Sequence, residues 1–236
     1  MANLPVAVIT GGTGALGRAT LDRLLKRGFR VAATYLVPEE AARVENETNV
    51  DENRLMLRRV DCTDSEATAA FMHEVAEKLG PFNVLASLIG GWAGGRDGSE
   101  TDDLRFDRMI DLNLRSAFNT IRAGLPHTSQ EEWARIVTVA SRAALETPPG
   151  QAAYNIAKAG LLALTKSVAA ELDGTNITAN AILPSAIDTE TMRAALPYAD
   201  YLHWPKPDEI AAVVDFLASP ESAVINGAGI PVYGKS

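Results

Sequence analysis

Residues 6–35 read V-A-V-I-T-G-G-T-G-A-L-G-R-A-T-L-D-R-L-L-K-R-G-F-R-V-A-A-T-Y. Val6 to Thr10 is a short continuous apolar run, as expected of a strand buried on both faces. A glycine turn follows, Gly11 to Gly17, with Thr13, Gly14, Ala15 and Leu16 inside it. Arg18 to Arg27 then carries Ala19, Leu21, Leu24 and Leu25 at helical spacing, and Gly28 ends it as a C′ glycine would. Phe29 to Tyr35 reads as a second strand. Strand, glycine turn, helix and strand make a βαβ unit, which implies a parallel sheet.

The turn fits three registers. Gly12, Gly14 and Gly17 match G-x-G-x-x-G; Thr10, Gly11 and Gly17 match T-G-x-x-x-G-x-G with Ala15 at the middle glycine; Thr10, Gly11, Gly14 and Gly17 match T-G-x-x-G-x-x-G. All share one physics: backbone without side chains lets N–H groups approach a pyrophosphate at a helix N-terminus. A plain tight turn would also account for an isolated glycine motif. Placement after a strand and before a helix favours the phosphate reading.

Outward from this unit the alternation continues. Pro38 to Asn49 is expected to be helical and Arg54 to Val60 a third strand, followed by Asp61 and Cys62. Thr63 or Asp64 is the expected cap of a helix over Ser65–Leu79. Phe82 to Ile89 is a fourth strand, leading into G-G-W-A-G-G at 90–95; Gly90 and Gly91 suggest backbone passing close to a ligand, although a surface loop has the same composition. Thr101 to Gly124 has helical periodicity and contains Asn113, whose ordinary place would be an exposed face. Arg135 to Ala140 is a fifth strand ending at Ser141, the Ala- and Leu-rich run from Ala152 to Leu172 a helix, and Asn176 to Leu183 a sixth strand ended by Pro184. Residues 185–207 read as irregular, with Tyr198, Tyr201 and Trp204 making 186–206 a candidate lid. A short helix capped by Asp208 and a last strand at Gly229–Tyr233 complete the pattern.

The expected fold is α/β: a Rossmann-type, doubly wound parallel sheet of about seven strands with helices on both faces, and a single domain over residues 1–236. Charge is -8, which argues against a nucleic-acid backbone as partner. No run approaches the roughly 18 apolar residues of a membrane span, so no membrane partner is expected. The opening M-A-N-L-P-V-A-V-I-T lacks a basic segment, and no signal peptide is expected. Cys62 has no partner for an internal disulfide, which fits a reducing, cytoplasmic setting. His73, His127 and His203 are scattered and make no zinc-ligand spacing; a site built from Asp and Glu alone is left open, but nothing points to one, and no metal is expected.

Tyr154 and Lys158 stand four residues apart on the expected helix, hence on one face. A nearby cation would lower the phenol's pKa and make it a usable acid and base; a solvated Tyr and Lys would show the same spacing. Position decides between them. In a parallel sheet, ligands bind beyond the carboxyl ends of the strands. Gly11–Gly17, Asp61, Gly90–Trp92, Ser141 and Pro184–Thr189 all follow expected strands, so they converge with the Tyr–Lys pair on one edge.

At these residues the chain resembles the short-chain dehydrogenase/reductases, essentially end to end. The resemblance rests on Thr10–Gly17, Asp61, Asn113, Ser141, Tyr154-x-x-x-Lys158 and P-S-A-I-D-T at 184–189, with the usual 13-residue step from Ser141 to Tyr154. It implies an NAD(P)-dependent oxidoreductase moving hydride between nicotinamide and a carbonyl, alcohol or quinonoid small molecule. Tyr154 would exchange the proton, Lys158 bind the nicotinamide ribose and lower the Tyr154 pKa, Ser141 bind the substrate oxygen, and Asn113 hold a water linking Lys158 to solvent. The glycine turn from Gly11 through Thr13, Gly14, Ala15 and Leu16 to Gly17 would bind cofactor, with Tyr35, Asp61, Cys62, Gly90, Gly91, Pro184, Ile187 and Thr189. Trp92 and Trp204 would face the substrate.

Two departures stand out: Leu88-Ile89-Gly90-Gly91 replaces the usual Asn-Asn-Ala-Gly, and Pro184-Ser185 replaces Pro-Gly. G-G-W-A-G-G and L-P-S-A-I-D-T-E-T-M-R are locally similar to dihydropteridine reductases, which typically lack the serine present here as Ser141. A quinonoid dihydropteridine is therefore an alternative substrate class, and a catalytically inactive dinucleotide-binding regulator an alternative function. Tyr35 stands where NAD-specific relatives carry an acid, so NADP(H) is expected to be modestly favoured with NAD(H) usable. The resemblance also implies a homo-oligomer, tetramer or dimer, paired through the Asn113 and Tyr154 helices, with Ala157, Ala159 and Gly160 allowing close approach.

Overall fold

The computed structural model describes residues 4–48, 52–130 and 132–235. Met1–Asn3 of the opening stretch and Asn49, the expected end of the second helix, lie outside them. The described elements alternate as expected: β1 (Val6–Thr10), α1 (Ala15–Lys26), β2 (Arg30–Tyr35), α2 (Pro38–Glu47), β3 (Leu55–Arg59), α3 (Ser65–Leu79), β4 (Val84–Ser87), α4 (Asp103–Ile110), α5 (Ser116–Gly124), β5 (Ala134–Val139), α6 (Ala143–Glu146), α7 (Ala152–Glu171), β6 (Ile177–Pro184), α8 (Glu190–Ala195), α9 (Pro207–Leu217) and β7 (Gly229–Val232). The strands form one parallel seven-stranded sheet in the order β3-β2-β1-β4-β5-β6-β7. The order reverses between β1 and β4, the switch point at which such sheets open a crevice.

Strand alternation divides the core. Val6 and Val8 of β1 join Phe71 and Met72 of α3, Ile121 of α5 and Val168 of α7 on one face. Ala7 and Ile9 join Leu21, Leu24 and Leu25 of α1 on the other, where Ile210, Val214 and Leu217 of α9 also pack against the sheet. Both faces of β1 are buried, which is why its sequence is apolar throughout rather than alternating.

The structure differs from expectation at several joints. The helix expected over 101–124 is interrupted by a π-helical turn at Asp111–Arg115. There the Asn113 side chain enters the backbone ladder, its Nδ2 donating to Met109 O at 3.1 Å, and a side chain that takes a ladder carbonyl disrupts the regular helix. Asp64, not Thr63, caps α3, accepting from the Glu66 and Ala67 amides. The last helix starts at Pro207, so Asp208 lies in its first turn; Glu209 Oε2 instead accepts the Lys206 amide at 2.7 Å. Residues 185–207 are not irregular throughout: they hold α8, capped by Thr189, and a 3₁₀ turn at Tyr201–His203.

Candidate active site

The glycine turn is pinned between strands. Gly11 has φ +77°, a left-handed conformation that favours glycine. Its amide donates to Thr34 Oγ1 at 3.0 Å, and the Gly12 amide to Thr34 O at 3.0 Å. A Cβ on Gly17 would lie 2.0 Å from Gly11 O, so α1 can start this close to the turn only without a side chain there. Gly14 occupies the cap position of α1 and offers no side-chain bond. The helix thus begins with amides that no side chain caps, facing the switch-point crevice, which fits a dinucleotide pyrophosphate. Thr13, which is buried, turns its hydroxyl away and donates to Glu40 Oε2 of α2 at 2.8 Å.

Other strand ends meet this turn from either side. Tyr35 ends β2 and its carbonyl accepts the Val60 amide. After β3, Asp61 Oδ1 accepts the Thr63 amide and hydroxyl at 2.9 and 2.7 Å. Cys62 beside it is buried, and that burial pushes its thiol up to about 11, so it is an inert packing group at neutral pH. After β6, Ile187 packs on the α9 side of the core and Asp188 N donates to Pro205 O, closing the neck of the segment that follows Pro184.

Four residues gather at the end of β4 and β5. Asn113 is fully buried rather than exposed, and grips Gly91 twice: Gly91 N donates to its Oδ1 at 3.1 Å, and its Nδ2 donates to Gly91 O at 3.0 Å. A Cβ on Gly90 would lie 3.0 Å from both Asn113 Oδ1 and Lys158 Nζ, so these two groups converge across a glycine. Lys158 is buried, donating to Val139 O at 2.7 Å, with its Nζ 5.9 Å from the Tyr154 ring centre. Ser141, at the end of β5, lies close enough to Tyr154 to pull its phenol down, and its Oγ accepts the Ala143 amide at 3.1 Å.

The electrostatics of the pair differ from the sequence expectation. Burial raises the Tyr154 phenol, and the Ser141 hydrogen bond only partly offsets it. Burial also lowers Lys158 to about 7. Desolvation penalises the charged form of each. Burial therefore weakens the amine as a cation relative to a solvated lysine, and the phenol keeps its proton at neutral pH.

Trp92 joins the group through a bond no spacing foretold: its Nε1 donates to Gln151 Oε1 at 2.7 Å. Gln151 and Glu40 are the two site residues that sequence reading passed over. Gln151 carried one signal, its place three residues before Tyr154; its partner lies 59 residues away. Trp204 stands apart. No hydrogen bond or ring contact among the described residues joins it to Trp92 or Tyr154. The groove lined by Leu4, Arg30, Asn83 and Trp133 is at the opposite edge, where strands begin, remote from Tyr154.

The short-chain dehydrogenase family profile matches residues 5–198. Acetoacetyl-CoA reductase of Paracoccus denitrificans is 34% identical over 239 residues, spanning 94% of this chain and 93% of that protein. The 3-oxoacyl-[acyl-carrier-protein] reductase MabA of Mycobacterium bovis is 32% identical over 238 residues, spanning 96% and 90%. A dehydrogenase/reductase structure from Sinorhizobium meliloti superposes with a TM-score of 0.87 at 30% identity, covering 98% of this chain and 94% of that one.

Proposed function

The chain belongs to the short-chain dehydrogenase family and is an NAD(P)-dependent oxidoreductase of it, and from that premise we propose that Tyr154, Ser141, Lys158 and Asn113 form its catalytic group, acting on a small carbonyl compound. One observation carries this reading: at the carboxyl edge of the sheet the buried Lys158 amine lies 5.9 Å from the Tyr154 ring centre and converges with the buried Asn113 amide across Gly90, with Ser141 beside the phenol. When bound, a nicotinamide cofactor supplies or accepts the hydride. The Gly11–Gly17 turn, Tyr35, Asp61, Cys62, Gly90, Gly91, Pro184, Ile187, Thr189 and Lys158 are the residues to hold it. Ser141 orients the substrate oxygen and Tyr154 delivers the proton. A phenol raised by burial stays in its acid form through the neutral range, the form carbonyl reduction consumes, and gives the proton up less readily than a free tyrosine.

Oxidation of NADH or NADPH against 3-oxoacyl thioesters, ketones, quinones and a quinonoid dihydropterin tests the reading. We expect turnover with a 3-oxo compound. The names of the curated relatives favour that class over a pterin or a non-catalytic role. Failure of every carbonyl with both cofactors would overturn the proposal.

Tyr35 presents no carboxylate to a 2′-phosphate at the end of β2, so NADPH is accepted and modestly preferred in this reading. Tyr35→Asp is expected to shift preference toward NADH. Glu40, hydrogen-bonded to the glycine turn by Thr13, limits the NADPH preference, and Glu40→Gln is expected to increase it. Binding titrations check both; wild-type NADH affinity more than tenfold tighter than NADPH, ~1.4 kcal/mol, would contradict this assignment.

The proposal includes a homo-oligomer, tetramer or dimer, working in the cytoplasm. Of the small residues expected to admit a partner, Ala157 is fully buried, whereas Ala159 and Gly160 are half-buried, with a Cβ on Gly160 meeting Leu114 at 2.9 Å. Leu104, Phe118 and Ile156, exposed on α4, α5 and α7, add apolar surface for a partner to cover. Light scattering is expected to give two or four chains; a monomer at micromolar concentration, or fractionation outside the cytoplasm, would count against this. Residues 186–206 are proposed as a substrate lid, with Tyr198 and Leu202 exposed along it. Their hydrogen exchange is expected to slow when cofactor and a substrate analogue are added, and an unchanged rate would refute the lid.

A further inference from the structure

Gln151 occupies the cap position of α7 but makes no side-chain capping bond. Its amide is engaged elsewhere, in a chain with one direction. Trp92 Nε1 donates to Gln151 Oε1 at 2.7 Å, Gln151 Nε2 to Asn155 Oδ1 at 3.0 Å, and Asn155 Nδ2 to Pro148 O at 2.8 Å. An indole N–H can only donate and a backbone carbonyl can only accept. The two ends therefore determine both amide orientations between them. Asn155 is buried, so its side chain is a firm support. A second bond, Arg96 N to Gly150 O at 3.1 Å, ties the same two loops together.

The indole held this way folds back over its own loop, where a Cβ on Gly94 would meet the ring at 2.4 Å. Its loop is gripped from the other side by Asn113 through Gly91. Trp92 thus spans from the Asn113–Lys158 floor to the start of the helix that carries Tyr154.

We propose that Gln151 is a positioning residue that holds the Trp92 indole as one wall of the carbonyl site, so that the site takes substrates with a flat or apolar group beside the carbonyl. This rests on Tyr154 being the reacting group. Gln151→Leu removes the acceptor; Gln151→Glu keeps an acceptor for the indole; Trp92→Phe keeps a ring without the N–H.

The expected result is a KM for such a substrate raised about threefold to tenfold in Gln151→Leu, the scale of one hydrogen bond, with a smaller change in kcat and in cofactor affinity. Gln151→Glu keeps the indole's acceptor but sets a carboxylate oxygen against Asn155 Oδ1, so it is expected to recover the KM only in part. In a Trp92→Phe background Gln151→Leu should add little. Acrylamide quenching of tryptophan emission should rise in Gln151→Leu, and this increment should vanish when Trp92 is also Phe. A KM effect that persists undiminished in the Trp92→Phe background would overturn the proposal. So would unchanged quenching in Gln151→Leu, a readout that needs no turnover and therefore stands apart from failure of the reductase reading.

Discussion

Tyr154→Phe is expected to lower kcat by about 10²–10⁴-fold while the protein stays folded and still binds its nicotinamide cofactor. The substitution deletes one oxygen and keeps the ring, so packing at the start of α7 is preserved. What is lost is the phenol that Ser141 influences at the carboxyl edge of the sheet, at the start of the helix that also carries Lys158. Ser141 cannot replace it: a serine hydroxyl orients an oxygen but is a far poorer proton donor. The measurement is kcat by NAD(P)H oxidation on the best substrate of the screen, alongside thermal unfolding and a cofactor titration. Near-normal kcat in a folded variant would remove Tyr154 from the chemistry, and loss of cofactor binding would recast it as a binding residue.

Lys158→Met should separate activity from stability in opposite directions. Turnover is expected to fall by a factor comparable to that of Tyr154→Phe, because the buried amine beside Asn113 and the phenol is gone. Stability at pH 7 is expected to rise. Folding lowers Lys158 from 10.5 to about 7 by burial, so the folded state carries a desolvation cost that Met does not. That cost is on the order of 4 kcal/mol at neutral pH, and loss of the bond to Val139 O returns about 1 kcal/mol. The net corresponds to a Tm higher by about 5 °C or more.

The pH dependence has a definite sign. Between about 7 and 10.5 the unfolded chain binds the extra proton and the folded chain does not, so wild-type stability rises with pH across that window. The advantage of Lys158→Met is therefore largest below pH 7 and shrinks toward pH 10. A variant less stable than wild type at pH 7, or a Tm difference that does not change with pH, would show that Lys158 is a structural group and not a buried functional amine.

Much of the fold is legible in the sequence, because it depends on local pattern. Apolar runs of strand length, helical spacing in Leu21, Leu24 and Leu25, and a glycine turn between them are all read within one short window. The βαβ unit, the seven strands and the edge where strand ends converge follow from that periodicity. The Tyr154–Lys158 pair is legible for the same reason, since i and i+4 on a helix face one way. Less legible were the joints. Neither the π-helical turn at Asn113 nor the cap at Lys206 is a matter of propensity; each is set by a single side chain competing for one backbone group.

The sequence by itself determined a doubly wound sheet, a glycine turn between its first strand and first helix, and the identity of the residues at the carboxyl edge. Tertiary structure alone decided their state. It buried Lys158 until its charge became costly, drew Asn113 inside to hold Gly91, joined Thr13 to Glu40, and bonded Trp92 to Gln151 across 59 residues. The physical reason is range. Periodicity and spacing act through the chain's own covalent geometry, whereas desolvation and a hydrogen bond between distant residues depend on what the rest of the fold brings alongside.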